Sequence, residues 1–83
     1  MTSRADEIRR MESASCVAEV IQVWNNDCVV VRTIKNVELI LMLHEAGFVH
    51  RAEGMHTVTF DRMVEFNDVL DAFDVTRKVQ RSK

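Results

Sequence analysis

Residues 36–48, with the sequence NVELILMLHEAGF, limit the possible folds of this chain more than any other stretch. In a helix that advances about 100° per residue, the apolar side chains would point in nearly every direction. Only Glu38 and Glu45 would share a clearly polar side. The stretch is too short to span a bilayer, which takes roughly 20 apolar residues. We therefore predict a helix that other elements cover over most of its circumference.

Both ends of this predicted helix carry capping residues. Asn36 precedes the helix and is the expected N-cap, because its side chain can accept a hydrogen bond from a free backbone N–H group. Gly47 follows the helix and is expected to adopt the left-handed conformation of the C′ residue. Phe48 would then fold back onto Leu43 in a Schellman cap.

The length of the chain, 83 residues, predicts a single domain over residues 1–83. Hydrophobic residues make up 47% of the chain and charged residues 29%, a balance typical of folded domains rather than disordered chains. The chain has no proline and two glycines, so long flexible loops are not expected. This composition favours helices and strands that are joined by short turns.

Residues 16–24 fit two interpretations. An amphipathic helix is favoured by the i, i+3, i+4, i+7 spacing of the apolar residues Val17, Val20, Ile21 and Trp24. The β-branched content of the segment CVAEVIQVW also permits a strand, which would pair across residues 25–27 with the run that follows. The spacing favours the helix, and the strand remains an open alternative.

The run CVVVRTI, at residues 28–34, is apolar on both faces, which suits a central strand. A β-hairpin is expected over residues 48–60, with its turn at Glu53 and Gly54 and with Gly54 in the left-handed region. The last helix is expected to begin after an N-cap at Asp61 and to end near Val75. Its apolar stripe consists of Met63, Phe66, Leu70 and Phe73.

These elements predict the α+β class. The expected order is α-β-α-β-β-α, a short sheet with a β-hairpin packed against helices. Residues 76–83 contain several bases and no acid, and we expect them to form a basic and mobile tail.

The histidines at positions 44, 50 and 56 are the residues to weigh as metal ligands. In the predicted hairpin a three-residue loop would place His50 opposite His56, whereas a two-residue loop would place Arg51 there. Two opposed imidazoles, with His44 nearby, are the kind of ligands that zinc or copper prefers. The chain has no C-x-x-C spacing, so we expect no physiological metal and keep His50 and His56 as the weak candidates.

Catalytic chemistry is not expected. Cys16 or Cys28 would need a neighbouring base and an electropositive setting to act as a nucleophile. Cys28 begins an apolar strand, which predicts a buried and inert thiol. The chain has no Gly-rich phosphate loop, no G-x-S-x-G and no H-E-x-x-H motif. We therefore predict a protein that is not an enzyme and that needs no cofactor or small-molecule substrate.

The last predicted helix carries a stripe of acids. Its candidate partner-binding residues are Asp61, Glu65, Asp68 and Asp71. A row of carboxylates suits a basic groove on another protein, as in an inhibitor or an adaptor. A second copy of the chain is the other candidate partner, covering apolar surface that remains on residues 16–24.

The segment 29–49, VVVRTIKNVELILMLHEAGFV, resembles the N-terminal half of the eighth protein of the bacterial-type small ribosomal subunit. The likeness consists of a short strand, an apolar helix led by Lys35 and ending near Leu43, and Gly47-Phe48 opening a hairpin. The family's proline after the strand, its basic character and its C-terminal half are missing here. The resemblance implies a structural, RNA-associated subunit of a ribonucleoprotein. The residues expected to face phosphate are Lys35, Arg77, Lys78, Arg81 and Lys83.

The net charge of −2 argues against binding to nucleic acid or membrane through the charge of the whole surface. Cys16 and Cys28 are the only cysteines, and the first residues lack the apolar run of a secretory signal. We therefore predict an intracellular, most simply cytoplasmic, protein-interaction module with no membrane association. Its alternative role is that of a ribonucleoprotein subunit.

Overall fold

A computed structural model describes residues 3–23, 27–48 and 54–81. The elements in chain order are α1 (Arg4–Ser13), β1 (Val17–Val23), β2 (Cys28–Thr33), α2 (Val37–Glu45), β3 (Met55–Thr59) and α3 (Met63–Arg81). A 3-10 turn, Phe60–Arg62, leads directly into α3. The α+β class is therefore confirmed. The order over the described residues is α-β-β-α-β-α, whereas the sequence predicted α-β-α-β-β-α.

The strands form an antiparallel sheet in the order β1-β2-β3, with Val20 opposite Val31 and Val31 opposite His56. One face of this sheet belongs to the core: Val29, Val31 and Val58 are fully buried. The helices supply the other half of that core. Their buried apolar residues are Ile8 and Met11 from α1, Leu39 and Leu43 from α2, and Met63, Phe66, Leu70 and Phe73 from α3.

Residues 17–23 form a strand and not the favoured helix. The misleading feature is a bulge between Val17 and Glu19, which adds one residue to β1 relative to β2. Because of it, Val17 and Val20 both pack against the core although they are three residues apart. An inserted residue in a strand thus produced the spacing that is typical of a helix. The β-branched composition was the correct signal.

The predicted hairpin is described only in part. Its first arm falls in residues 49–53, and His50 and Arg51 therefore lie outside the described residues, so neither register is tested. Its second arm is β3, which pairs with β2. Gly54 has the expected left-handed backbone, with φ +78, and a Cβ atom there would lie 2.7 Å from the Thr33 carbonyl oxygen. Only glycine fits this close approach of two backbones.

Both caps of α2 are confirmed. The Asn36 side chain accepts a hydrogen bond of 3.2 Å from the Leu39 N–H. Gly47 has φ +89, its N–H bonds the His44 carbonyl at 2.9 Å, and the Phe48 N–H bonds the Leu43 carbonyl at 2.9 Å. These two bonds are the pair that defines a Schellman cap.

The expectation that other elements cover most of α2 is wrong. Leu39 and Leu43 are buried, but Val37 is 75% exposed and Leu41 is 54% exposed. The main neighbour of α2 among the described elements is α3, so one side of the helix is covered and the opposite side is open.

The helix α3 has the predicted buried stripe but different ends. Asp61 lies inside the 3-10 turn Phe60–Arg62 and is therefore not the N-cap that the sequence predicted. The helix also continues to Arg81, past the predicted end near Val75. The first part of the expected basic tail is therefore helical. None of the helices in the described ranges is both long and apolar enough to cross a membrane.

Candidate protein-binding surface

The solvent side of α3 carries acids and apolar residues together. We call this surface the outer face of α3. Its exposed residues are Val64, Glu65, Asp68, Asp71, Ala72 and Val75. At 3.6 residues per turn they lie opposite Phe66 and Phe73, which are fully buried and fix the rotation of the helix against the core. Asp61, in the preceding turn, is also exposed.

The valines of this face were not identified from the sequence as site residues. Val64 is 49% exposed and Val75 is 60% exposed. Both lie opposite the predicted apolar stripe, so the period of the helix contained the signal that could have revealed them. Acids that alternate with apolar residues can satisfy both requirements of a protein interface, an apolar contact and charged groups around it.

One acid of the outer face is bound within the chain. The Arg62 Nε atom donates to Glu65 Oε2 at 3.0 Å, and Arg62 Nη2 lies 3.0 Å from Glu65 Oε1. This hydrogen bond holds the pKa of the Glu65 carboxyl below its ordinary value and raises the pKa of Arg62. The two-point contact fixes the Glu65 side chain beside the first turn of α3.

Arg62 also joins α3 to the end of α2. Its Nη2 donates to the Ala46 carbonyl at 2.6 Å, and its guanidinium carbon lies 4.0 Å from the centre of the Phe48 ring. Phe48 in turn packs edge-to-face on Phe66, with ring centres 5.0 Å apart. Nothing in the sequence around Arg62 predicts this position, because the contact depends on the tertiary arrangement of the two helices.

A second acid of the face is paired with α1. Arg10 Nη2 bonds Asp71 Oδ2, and Arg10 Nη1 lies 3.7 Å from Glu7 Oε2. Below this pair, buried Asn67 donates to the Glu7 carboxylate at 2.9 Å and to the Glu7 carbonyl at 3.0 Å. This polar cluster fixes the position of α1 on α3.

The remaining candidate acids are differently placed. Asp61 and Asp68 are exposed and form no ion pair with any residue in the described ranges. The structure thus places Glu65, Asp68 and Asp71 on one helix face and Asp61 beside it. Within the described ranges, Asp61 and Asp68 are the candidate acids without a direct ion pair, although the Asp61 carboxylate contributes to raising the pKa of the neighbouring Arg62.

Of the basic residues in the ribonucleoprotein hypothesis, the structure describes the side chains of Lys35 and Arg77. Lys35 is exposed in the segment between β2 and α2. Arg77 is half-buried, and its guanidinium carbon lies 5.5 Å from the centre of the Phe73 ring. Lys78 and Arg81 lie within the bounds of α3, and Lys83 lies outside the described residues.

Of the two weak metal candidates, His50 lies outside the described residues, so its pairing with His56 stays untested. His56 is fully buried, with its Nε2 atom 3.3 Å from Thr33 Oγ1 and its ring 5.9 Å from that of Phe66. His44 is exposed on α2. Within residues 3–23, 27–48 and 54–81, no group of His, Cys, Asp and Glu side chains is placed to hold a metal ion.

Both thiols are buried and free. Cys16 is fully buried and Cys28 is 5% exposed. Burial raises the pKa of the Cys16 thiol to about 11, and the Asp74 carboxylate adds to this effect. The Cys16 thiol is therefore protonated near neutral pH and is not available as a nucleophile.

Comparisons of the chain with protein-family models, with curated proteins and with solved structures found no match. The ribosomal resemblance therefore stays a prediction.

Proposed function

We propose that this chain is a non-catalytic protein-interaction module, an adaptor or inhibitor, that binds its partner through the outer face of α3 together with Asp61. The supporting observation is an exposed row of acids in which Val64 and Val75 provide apolar contact area. The complementary partner surface is basic and partly apolar, such as a groove or an amphipathic helix rich in lysine and arginine. Buried, free Cys16 and Cys28 are consistent with an intracellular setting.

The acids do not contribute equally in this proposal. Glu65 and Asp71 already bond Arg62 and Arg10, so a partner must compete with those contacts. Asp61 and Asp68 have no such contact among the described residues, and each can accept a new ion pair without losing one. We therefore assign the larger part of the electrostatic specificity to Asp61 and Asp68.

The alternative proposal is a small RNA-associated subunit of a ribonucleoprotein. Its support is the sequence resemblance and the bases Lys35 and Arg77 with the residues that follow. The arrangement in α3 favours it less, because Arg77 contacts the ring of Phe73 and the solvent side of the same helix is acidic. RNA binding of this kind would weaken steeply with salt and would require residues 76–83.

The test is affinity capture with the native protein, followed by a binding titration with each purified partner candidate. The double reversal Asp61→Lys and Asp68→Lys is expected to weaken binding at least tenfold, and added salt is expected to weaken the wild type in the same direction. The matched control is Glu38→Lys with Glu45→Lys. Both residues are exposed on α2, and the change in charge is the same.

Equal losses from the two double variants would show a general charge effect and would contradict the assigned surface. Unchanged binding after reversal of Asp61 and Asp68 would remove the proposal. Capture of RNA, lost after treatment with ribonuclease or after deletion of residues 76–83, would favour the alternative.

A further inference from the structure

The strand β1 is an edge of the sheet with an open side. It pairs with β2 on one side, and no other described strand lies beside it. Across the described ranges, no hydrogen bond from another element reaches the backbone of residues 18–23 on the outer side. Such an edge carries a row of backbone donors and acceptors, and the group that satisfies all of them at once is another strand.

This edge lacks most of the features that keep strand edges from pairing. The segment VAEVIQV contains no proline and no lysine, and Glu19 is its only charged residue. The bulge between Val17 and Glu19 disturbs the edge only at its beginning. The regular part of β1 therefore runs from Glu19 to Val23, and its middle residue is Ile21.

Ile21 is also a large apolar residue that is exposed on this strand, at 42%. It lies in register with Val30 of β2 and, through it, with Thr57 of β3. These residues belong to the sheet face that is turned away from the fully buried Val29, Val31 and Val58. An added strand would cover the outer side of Ile21 as well as the backbone edge.

The regular part of β1 is complementary to itself. In antiparallel pairing about a two-fold axis at Ile21, each Ile21 faces its equivalent, Val20 faces Gln22, and Glu19 faces Val23. No two acids stand opposite each other in this register. Glu19 keeps its ion pair with Arg32 in the same sheet, with Glu19 Oε2 3.7 Å from Arg32 Nε. The one acid of this strand is therefore already paired, and the edge does not require a basic partner strand.

We propose that a second copy of this chain pairs with the β1 edge, antiparallel and about a two-fold axis at Ile21, joining the two three-stranded sheets into one. This dimer rests on the proposed function only in that both make the chain a protein-binding module. The dimer uses the edge of β1, whereas the proposed function uses the outer face of α3. Stable interfaces bury about 1,200–2,000 Å². A short edge of about five residues centred on Ile21 buries less, so the dimer is weak and its population depends on concentration.

Sedimentation equilibrium over a wide range of protein concentration tests the dimer. The wild type is expected to rise from the mass of one chain toward that of two. Ile21→Lys is expected to stay a monomer, because a charge at the centre of the pair would face its equivalent. The control is Thr57→Lys, which adds the same charge at an exposed position of the same sheet face but on β3, and which is expected to dimerise like the wild type.

The position of the axis is tested by cross-linking with a short bis-maleimide. The variant Ile21→Cys is expected to give a covalent dimer much faster than Thr57→Cys, whereas the buried native thiols of Cys16 and Cys28 react slowly. Circular dichroism of each variant checks that it is folded.

A wild type that remains a monomer at the highest concentration overturns the proposal. Equal cross-linking of the two cysteine variants, or dimerisation that persists in Ile21→Lys, also overturns it, because the contact would then lie elsewhere. Reversal of Asp61 and Asp68 is expected to leave the dimer unchanged, so this proposal and the proposed function can fail separately.

Discussion

The helices α2 and α3 show opposite relations between composition and burial. The sequence of α2, VELILMLHE, is apolar at six of its nine positions, yet only Leu39 and Leu43 are buried. In α3 acids and bases alternate with apolar residues, yet it buries Met63, Phe66, Leu70 and Phe73 within the core. The more hydrophobic helix is the more exposed one over much of its surface.

The difference shows that the spacing of apolar residues positions a helix more reliably than their number. A stripe that returns every three or four residues gives α3 one rotation in which all large side chains meet the core. The apolar residues of α2 surround its axis, so any rotation leaves some of them outside. Here those residues are Val37 and Leu41. Four predictions test this comparison.

The largest effect is expected in α3. Phe66→Ala removes a fully buried ring that contacts Phe48 and His56, and it is expected to lower the free energy of unfolding by about 3–5 kcal/mol. Leu41→Ala in α2, at a residue 54% exposed, is expected to change it by less than about 1 kcal/mol. Urea unfolding of both variants makes the measurement. Similar losses would show that α2 is as deeply packed as α3, and Phe66→Leu serves if the alanine variant does not fold.

A smaller loss is expected from the buried polar cluster beneath α3. Asn67→Ala leaves the nearly buried Glu7 carboxylate without its amide donor, which costs about 1–3 kcal/mol. The matched control is the neighbouring Asp68→Ala on the outer face, expected to stay within about 0.5 kcal/mol of the wild type. If the control lost as much as Asn67→Ala, the distinction between the two faces of α3 would not hold.

Substitution of Gly47, at the C-terminal end of α2, is expected to lower stability through the backbone conformation of that residue. Gly47→Ala forces a side chain into a left-handed conformation and is expected to cost about 1–2 kcal/mol. A Cβ atom there would lie 3.6 Å from the Arg62 guanidinium, an ordinary contact, so the cost is conformational. Gly47→Asn should lose less, because asparagine tolerates this conformation better. Equal thermal stability of Gly47→Ala and the wild type would contradict this account.

The smallest expected effect is a dependence of the free energy of unfolding on pH, caused by the Cys16 thiol. Its pKa is about 11 in the folded chain against 9.0 ordinarily, so between these values the unfolded thiol loses its proton first. Stability is therefore unaffected below about pH 8 and falls as the pH rises toward 11, by about 1 kcal/mol near pH 10. Cys16→Ala has no thiol to ionise, so its free energy of unfolding does not show this decrease. The difference in free energy of unfolding between the wild type and Cys16→Ala should therefore become smaller between about pH 8 and 10. A constant difference would show that the thiol is not shielded.

Sequence reasoning succeeded where a local rule decides the outcome. The caps at Asn36, Gly47 and Phe48 depend on a few neighbouring residues, and the buried stripe of α3 depends on its period. It failed at Val17 and Val20, because a bulge is a property of a pair of strands and is not visible in one of them. It failed at Asp61 for a related reason, since a 3-10 turn moved the start of α3 beyond the residue that looked like its cap.

The candidate site was predicted as a set of acids, and the structure separates its members. Their positions on one side of α3 follow from the helical period. The contact of Arg62 with Glu65 also follows from local spacing, because the two residues are three positions apart. The contact of Arg10 with Asp71 does not, because it joins residues far apart in the chain. The free edge of β1 could likewise not be predicted, because the sequence of residues 16–24 fits both a helix and a strand.

The Arg62 contact has a consequence for local opening of the fold. The final turn of α2 is held by the guanidinium of Arg62 on the Ala46 carbonyl and on the Phe48 ring. Its first turn begins at Val37, which is largely exposed, and is held by the Asn36 cap and by the buried Leu39 side chain. In native-state hydrogen exchange, α2 should therefore open in one direction, with amides near Leu41 exchanging before those near Leu43 and Phe48. Slow exchange would then begin at the junction of the two helices and extend along α3.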